Sequence, residues 1–518
     1  MSVTSVEYVL FLFVTVISYY LLPHKYQWIL LTVASVSFYI LTCFRCIPYI
    51  LITSMSAYLA GLLIGGEAAV PVGGKSRGKR GYKKAIMITV LILNFGILFV
   101  LKYIDAALLG ADRIFHLTNS GYEIPQYDVL LPVGISFYTF QTMGYIIDVY
   151  RNKADAEKNY FKLLLFVSFF PQLIQGPISR HDELAEQLYE GHEARWKNIS
   201  SGMLRVVWGY FKKLVIADTL AIVSKSIIEY PESFGGGYVT FLIVVYTAQL
   251  YNDFSGGMDI AIGTGEMLGI EMRENFNRPF ASTSVKEYWK RWHITLGAWF
   301  QNYVFYPLSI CLPMQKLSKK IRSKFGRSFA RRIPVYIATL FTWLLTGMWH
   351  GAGANFAVWG LLNATVMLIS MELDPLYSRF AQFAPRVHSS YAYTLFCRVR
   401  TFFLIGAIRL LDCYRNVGET FSRIFSIFTD AEGWRRFVRG GFLRLGMKSS
   451  EYFLILLCLA LVLFVSSYRE RAGSPLRYKI TERPRTFFLC VGALFVAIVI
   501  FGNYGLGFEG SNFIYNQF

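Results

Sequence analysis

The chain has 518 residues, of which 54% are hydrophobic and 17% aromatic, and its mean hydropathy is +0.40. These values exclude an ordinary soluble domain, because burying so much apolar surface would need a core larger than single domains build. A formal net charge of +19 also occurs in nucleic-acid-binding proteins, but here Lys and Arg concentrate between apolar runs and no nucleic-acid-binding motif accompanies them. We therefore expect the protein to associate with a lipid bilayer and not with nucleic acid.

The N-terminal part consists of apolar runs long enough to cross a bilayer as helices. They cover residues 8–22, 26–44, 46–66 and 85–101. A basic, glycine-containing loop at residues 67–84 separates the last two runs, and we expect it on the cytoplasmic side. The first run lacks the basic flank and cleavage site of a signal peptide, so we expect it to remain as a helix.

The chain has seven cysteines, an odd number that cannot all be paired within one chain, and most of them lie within or beside apolar runs. This distribution predicts buried thiols rather than a disulfide framework. Cys43 and Cys46 form a CxxC pair, but no second pair or βαβ context supports a redox or zinc role.

The middle of the chain contains interrupted apolar segments. Residues 129–147 are uncharged and long enough to cross, yet they contain Pro132, Gly134 and Gly144, so this segment either spans or enters and returns. Residues 163–179 are likewise interrupted by proline and glycine. The next segment, residues 180–197, is charged and polar, which predicts an interfacial helix. Residues 203–227 are apolar but include Arg205, Lys212, Lys213 and Asp218, which predicts an amphipathic or internally paired helix.

Further apolar runs follow at residues 238–252 and 258–270, and a helix is predicted from about residue 285 to 312. Residues 313–332 contain eight Lys and Arg residues, which predicts a cytoplasmic loop. Spans are predicted at residues 333–350, 354–371, 452–468 and 487–508. Between them lies a basic amphipathic stretch, residues 415–448, suited to anionic headgroups. The pattern predicts an all-α polytopic membrane protein.

His350 ends an uncharged run within TLFTWLLTGMWHGAGANFAVWG, residues 339–360. On a helix, Thr346, Trp343 and Thr339 continue the stripe that contains His350. An ionisable residue at membrane depth indicates function, because burying it in lipid without a partner is costly. The alternatives are a helix-end histidine that touches headgroups and a buried histidine bonded to a carbonyl.

Of the seven histidines, only His350 and His293 lie beside long apolar runs. His293 lies 20 residues before Pro313, and His350 lies 18 residues after Arg332. Helices that leave the same basic segment would bring both imidazoles to a similar depth, roughly 27 to 30 Å when upright. Such a pair suits acyl transfer, because a neutral imidazole can take the proton of an acceptor hydroxyl and a shielded site limits hydrolysis of the donor.

Several neighbouring residues are candidates to shape an acyl tunnel or to hydrogen-bond the acyl carbonyl: Trp289, Trp292, Trp349, Asn355, Thr346, Trp343 and Asp253. A metal site that combines the histidines with Asp253 and Asp259 is the alternative chemistry. No HExxH-type spacing supports it, and the chain has neither a GxSxG elbow nor a Walker A loop. We therefore predict no metal.

Six motifs occur in order along the chain. They are LPVGISFYTFQTMGYIIDVYR (131–151), FFPQLIQGPISR (169–180), GYFKKLVIADTL (209–220), YTAQLYNDFSGGMDIAIG (246–263), ENFNRPFASTSVKEYWKRWHITL (274–296) and GMWHGAGANFAVWG (347–360). Together they resemble the membrane-bound O-acyltransferase (MBOAT) family, specifically its bacterial alginate O-acetylation (AlgI-like) branch. Residues 374–448 contribute no motif to this resemblance.

The resemblance implies that His350 is the catalytic histidine and His293 its companion. It also implies the MBOAT fold, a ring of tilted transmembrane helices with broken or re-entrant segments around a central funnel. We expect one integral membrane domain over residues 1–518, with N-terminal helices (1–128), a catalytic core (129–372) and C-terminal amphipathic and transmembrane helices (373–518).

The function implied is transfer of acetyl from a cytoplasmic donor, acetyl-CoA, across the bacterial cell membrane to an extracellular or cell-wall polysaccharide such as alginate, cellulose or peptidoglycan. The expected partners are an extracytoplasmic acetyl-transfer protein and the polysaccharide synthesis and export machinery. Two alternatives stay open. One is a DltB-like D-alanyl transferase for teichoic acid, and the other is a transporter whose broken segments line a substrate path, although the sequence contains no inverted repeat.

Overall fold

The computed structural model describes residues 1–65, 77–117 and 131–504. Most of the predicted basic loop at 67–84 and the end of the run at 487–508 lie outside these residues. Within them the structure is helical without named strands, and Phe276 and Trp292 form an isolated antiparallel bridge. The prediction of an all-α protein is confirmed.

The first eleven helices are α1 (Val6–Leu21), α2 (His24–Cys43), α3 (Ile47–Gly65), α4 (Arg77–Leu117), α5 (Ile135–Tyr150), α6 (Tyr160–Ser168), α7 (Phe170–Leu173), α8 (His181–Tyr189), α9 (Trp196–Tyr210), α10 (Asp218–Glu229) and α11 (Gly237–Met267). The others are α12 (Val285–Arg291), α13 (Ile294–Phe300), α14 (Tyr306–Ile310), α15 (Leu312–His350), α16 (Ala354–Phe383), α17 (Pro385–His388), α18 (Tyr391–Tyr414), α19 (Val417–Thr429), α20 (Ala431–Val438), α21 (Ser449–Ala472), α22 (Leu476–Thr481) and α23 (Pro484–Phe501).

Shorter 3-10 helices lie at Phe44–Cys46, Pro231–Ser233, Pro279–Ala281 and Gly441–Arg444. Two π-helical segments, Phe211–Ala217 and Gln301–Phe305, join consecutive α-helices. Such segments are frequent at functional sites.

Five helical stretches in the described part of the chain are long and apolar enough to cross a membrane: His24–Gly65, Gly81–Asp112, Ala354–Phe383, Ser449–Ala472 and Pro484–Phe501. Helix α1 is apolar but shorter. These stretches confirm a multi-pass membrane protein.

The chain divides into two compact units, and the first comprises residues 1–207, 257–273 and 481–487. Within it, thirteen of the 16 residues of α5 are buried, so this predicted spanning or re-entrant segment is covered by protein. The predicted break within residues 163–179 is confirmed as the change from α6 to α7. In the same unit Arg205 Nε lies 2.9 Å from Asp259 Oδ1, so the buried guanidinium is paired with a half-buried carboxylate.

The second unit comprises residues 208–256, 274–480 and 488–518. The π-helical segment Phe211–Ala217 contains Lys213, whose ammonium lies 2.7 Å from Asp253 and 2.9 Å from Asp218, with all three side chains buried. Lys212 donates to Ser255 at 2.9 Å. Internal pairing, the second of the two predictions for residues 203–227, is therefore confirmed.

Two local predictions are wrong. The helix predicted over 285–312 is interrupted, because Trp292 is extended and His293 adopts a left-handed conformation between α12 and α13. Residues 313–332 are helical rather than a loop, and only Gly326, with φ of 80°, departs from helical geometry inside α15. Lys, Arg, Leu and Met favour helix, and Pro313 occupies a first-turn position that tolerates proline.

Smaller differences concern helix continuity and the cysteines. The runs predicted at 238–252 and 258–270 form the single helix α11. Cys43 and Cys46 are joined in a disulfide, so the expectation of thiols is wrong for this pair, which a 3-10 turn brings together. Cys397, Cys413 and Cys458 are buried thiols, as expected. The single domain, the ring and the funnel stay predictions.

Candidate active site

The hairpin of α15 and α16 depends on two glycines. A Cβ atom on Gly347 would lie 2.1 Å from the carbonyl oxygen of Phe356, and one on Gly360 would lie 2.3 Å from that of Trp343. Because both obstructing atoms belong to the backbone, only glycine permits this approach at either position. The two helices therefore pack backbone against backbone next to His350.

His350 is the last residue of α15 and is half-buried. Its ring centroid lies 4.8 Å from that of Trp349 and 4.8 Å from that of Trp359, both edge-on, and 6.4 Å from that of Phe356. Aromatic rings therefore restrict the orientation of the imidazole while leaving part of it accessible.

His293 lies at the break between α12 and α13 with φ of 47° and ψ of 54°. Its carbonyl accepts the backbone N–H of Gly297 at 3.0 Å, which begins α13. A non-glycine residue in this conformation is strained, and such strain is concentrated at functional sites. The side chain is 4% exposed and lies edge-on to Phe254 at 4.8 Å between ring centroids.

Asn275 organises the backbone and side chain around His293. The Nδ2 and Oδ1 atoms of its amide lie 3.1 and 3.2 Å from the Nδ1 atom of His293. The same Oδ1 accepts the backbone N–H and the hydroxyl of Thr295, both at 3.0 Å, and its backbone carbonyl accepts the N–H of Ile294. One buried side chain therefore fixes both the imidazole and the first turn of α13.

Three tryptophans bring the two histidine-bearing segments together. The Trp289 ring on α12 lies 4.8 Å from that of Trp343 on α15 and 5.6 Å from that of Trp359 on α16, measured between centroids. Trp359 also contacts His350. Packing of large aromatic surfaces stabilises the arrangement.

His293 and His350 line one cavity of about 520 Å³ within the second unit. Most of its wall is apolar or aromatic, as in sites that bind small organic molecules. Along α15 the lining residues run from Val335 to His350, which is about 22 Å at 1.5 Å per residue. Asp374 and Trp359 line it from the antiparallel helix α16, so the cavity has a Val335–Asp374 end and a His350–Trp359 end.

Most residues predicted for the site line this cavity: His350, His293, Trp289, Trp292, Trp343 and Thr346. Thr339, which shares their helical stripe, lines it as well. The predicted stripe on α15 is therefore present in the structure, and the two histidines, far apart in sequence, face the same space.

Three predicted residues lie elsewhere. Asp253 pairs with Lys213, so its carboxylate is already engaged. The Asn355 side chain donates to the carbonyl of Leu411 at 3.0 Å and fastens α16 to α18. Trp349 is buried, and its ring lies 4.8 Å from that of His350 and 6.0 Å from that of His293. We assign these three residues to supporting roles, because none of them lines the cavity.

The sequence interpretation did not include five charged residues of the cavity wall among the site residues: Lys286 and Lys290 on α12, Asp374 on α16, and Arg409 and Asp412 on α18. Arg409 is 3% exposed, its guanidinium lies 4.0 Å from the Trp292 ring centroid, and it donates to the Tyr288 hydroxyl at 2.6 Å. The available signal was an Arg and an Asp inside the otherwise apolar run TFFLIGAIRLLDCY, since charges in such runs usually mark function.

The arrangement suits proton transfer near an apolar chain. A half-buried imidazole with accessible edge can take a proton from a hydroxyl that enters the cavity, and a second imidazole held by Asn275 lies in the same wall. The fixed guanidinium of Arg409 adds positive charge to the same cavity wall, where it can stabilise charge that develops during the reaction.

Comparison with known proteins identifies relatives that are named as acyl-transferring proteins. The sequence model described as MBOAT, membrane-bound O-acyltransferase family, matches residues 155–411. "Probable alginate O-acetylase AlgI" of Pseudomonas putida is 34% identical over 380 residues, which is 72% of this chain and 71% of that protein. The protein of the same name from Pseudomonas syringae pv. tomato is 34% identical over 346 residues, which is 66% of this chain and 60% of the relative.

"Peptidoglycan O-acetyltransferase" of Helicobacter pylori is 30% identical over 332 residues, which is 59% of each chain. Proteins named teichoic acid D-alanyltransferase are more distant, at 26% and 27% identity over less than half of this chain. The chain thus spans 60% of the length of the Pseudomonas syringae relative and 71% of that of the Pseudomonas putida relative. With its all-helical membrane architecture and its two cavity histidines, it belongs to the membrane-bound O-acyltransferase family.

Proposed function

We propose that this protein is a membrane O-acetyltransferase that moves acetyl groups from acetyl-CoA to a hydroxyl of an extracellular or cell-wall polysaccharide. The observation that carries the proposal is the cavity lined by both His293 and His350. The relatives named as alginate and peptidoglycan O-acetylating proteins support acetyl as the group and polysaccharide as the acceptor class.

His350 acts as the general base. It takes the proton of the acceptor hydroxyl as the hydroxyl oxygen attacks the carbonyl carbon of the acetyl thioester. The C–S bond then breaks, and the leaving thiolate takes that proton from the His350 imidazolium. A largely apolar cavity supports this assignment, because excluding water limits hydrolysis of the thioester. His293, with its Nδ1 directed at Asn275, orients the acetyl carbonyl from the same wall.

The donor enters at the Val335–Asp374 end of the cavity. That end adjoins the basic part of α15, residues 312–332, and positive charge marks the cytoplasmic side of membrane proteins. Lys286 and Lys290 line the same cavity and add positive charge for an anionic donor. The acceptor then approaches from the His350–Trp359 end, directly or through an extracytoplasmic partner protein that belongs to the polysaccharide export machinery.

The experiment compares cells that carry the gene with cells from which it is deleted, and measures acetyl esters and D-alanyl esters on cell-surface polymers. We expect the deletion to remove acetyl esters and to leave D-alanyl esters unchanged. Loss of D-alanyl esters with normal acetyl content would instead assign the protein to the teichoic-acid transferases. No change in either ester would contradict acyl transfer altogether.

A further inference from the structure

Asp412 places an additional carboxylate in the wall of the cavity that holds the two histidines. It lies near the end of α18 and is partly exposed. Within residues 1–65, 77–117 and 131–504, its carboxylate makes no hydrogen bond and no ion pair within 4.0 Å. Arg409 and Arg415 interact with the Asp412 carboxylate only through longer-range electrostatics. The Arg409 guanidinium is directed at Tyr288 and Trp292.

The position of Asp412 along the cavity follows from its neighbour Leu411. The Leu411 carbonyl accepts a hydrogen bond from Asn355, in the first turn of α16, and the Leu411 side chain packs in a buried cluster with Trp359. Trp359 in turn contacts His350. Asp412 therefore lies at the His350–Trp359 end of the cavity, whereas Asp374 lies at the opposite end.

A carboxylate in an apolar cavity is costly unless it receives hydrogen bonds. No described side chain supplies them, so a ligand that enters the cavity can supply them in place of solvent. At this end of the cavity the ligand meets indole rings as well as the carboxylate. Sugars suit this combination, because their C–H faces pack on aromatic rings while their hydroxyls donate hydrogen bonds to carboxylates.

We propose that Asp412 binds the acceptor and determines its position, by accepting a hydrogen bond from a hydroxyl of a sugar unit held beside His350. The inference rests on the proposed function, with the sugar acceptor itself entering the cavity at the His350–Trp359 end. Asp412 does not exchange a proton or form a bond in the reaction. It holds the sugar so that a neighbouring hydroxyl faces the general base.

The test uses the detergent-purified full-length protein as wild type, Asp412→Asn, Asp412→Glu and Asp374→Asn. The probes are acetyl-CoA, cellotetraose and an oligomannuronate, and binding is followed by tryptophan fluorescence, because four tryptophans line the cavity. Asp374→Asn is the matched control, since it removes a cavity carboxylate from the opposite end.

We expect Asp412→Asn to weaken binding of at least one sugar probe tenfold or more and to change the Kd for acetyl-CoA less than twofold. Asp412→Glu should recover part of the sugar affinity, and Asp374→Asn should leave it unchanged. The proposal is overturned if the wild type binds neither sugar, if Asp412→Asn binds the sugar normally, or if it loses acetyl-CoA binding instead. Absence of acetyl-CoA binding by the wild type would be a failure of the proposed donor and is read separately from the sugar measurement.

Discussion

The side-chain amide of Asn275 lies 3.1 Å from the Nδ1 atom of His293. The same amide oxygen holds the N–H and the hydroxyl of Thr295, so the strained backbone at His293 and the direction of its imidazole depend on one side chain. Asn275 is therefore a positioning residue for the candidate site.

We predict that Asn275→Ala lowers acetyl transfer at least tenfold and lowers the free energy of unfolding by about 1–3 kcal/mol, because it leaves buried donors without their acceptor. Asn275→Asp keeps an oxygen for Thr295 and should be the more stable of the two variants. Thermal unfolding and transfer assays on purified protein measure both effects. Wild-type activity in the alanine variant would show that His293 needs no such support.

The close approach of α15 and α16 gives a prediction about packing. Gly347→Ala and Gly360→Ala each place a Cβ atom against a backbone carbonyl, so each should destabilise the protein by about 1–3 kcal/mol and displace His350. Gly492→Ala on α23 is the control, because nothing lies within 4 Å of its added Cβ atom, and it should be neutral or stabilising. Equal melting temperatures for all three variants would contradict the observed helix contact.

The buried ion pairs of Lys213 give a prediction about stability. Lys213→Met leaves Asp218 and Asp253 without the cation that both contact, and breaking such a pair costs about 3–5 kcal/mol. Lys225→Met removes an exposed lysine that pairs with Glu229 and should cost about 0–1 kcal/mol. Denaturation of the two variants in the same detergent gives the comparison. A similar loss in both would mean that burial of the Lys213 pairs adds nothing.

Parts of this architecture follow directly from sequence periodicity. The stripe from Thr339 to His350 is recognisable because helix period and apolar composition agree over the whole segment. Charges inside residues 203–227 predicted internal pairing because unpaired charges are costly in an apolar setting, and Lys213 is indeed paired.

Other parts depend on contacts that no local pattern carries. The break at His293 is fixed by Asn275, 18 residues earlier, whereas the local run around Trp292 reads as continuous helix. Arg409 and Asp412 reach the cavity because Asn355 fastens α18 to α16, and they lie in a stretch without recognised motifs. The basic segment after Leu312 is helical rather than the predicted loop, because charge indicates the side of the membrane but not the conformation.

The measurement that tests the central claim most directly is the acetyl ester content of cell-surface polysaccharide in cells that carry His350→Ala. His388→Ala is the matched control, because His388 is exposed and does not line the cavity. At equal amounts of membrane-inserted protein, we predict that His350→Ala lowers acetyl content to the level of the deletion strain, while His388→Ala retains wild-type content. Normal acetylation in the His350→Ala strain would contradict the assignment of His350 as the base.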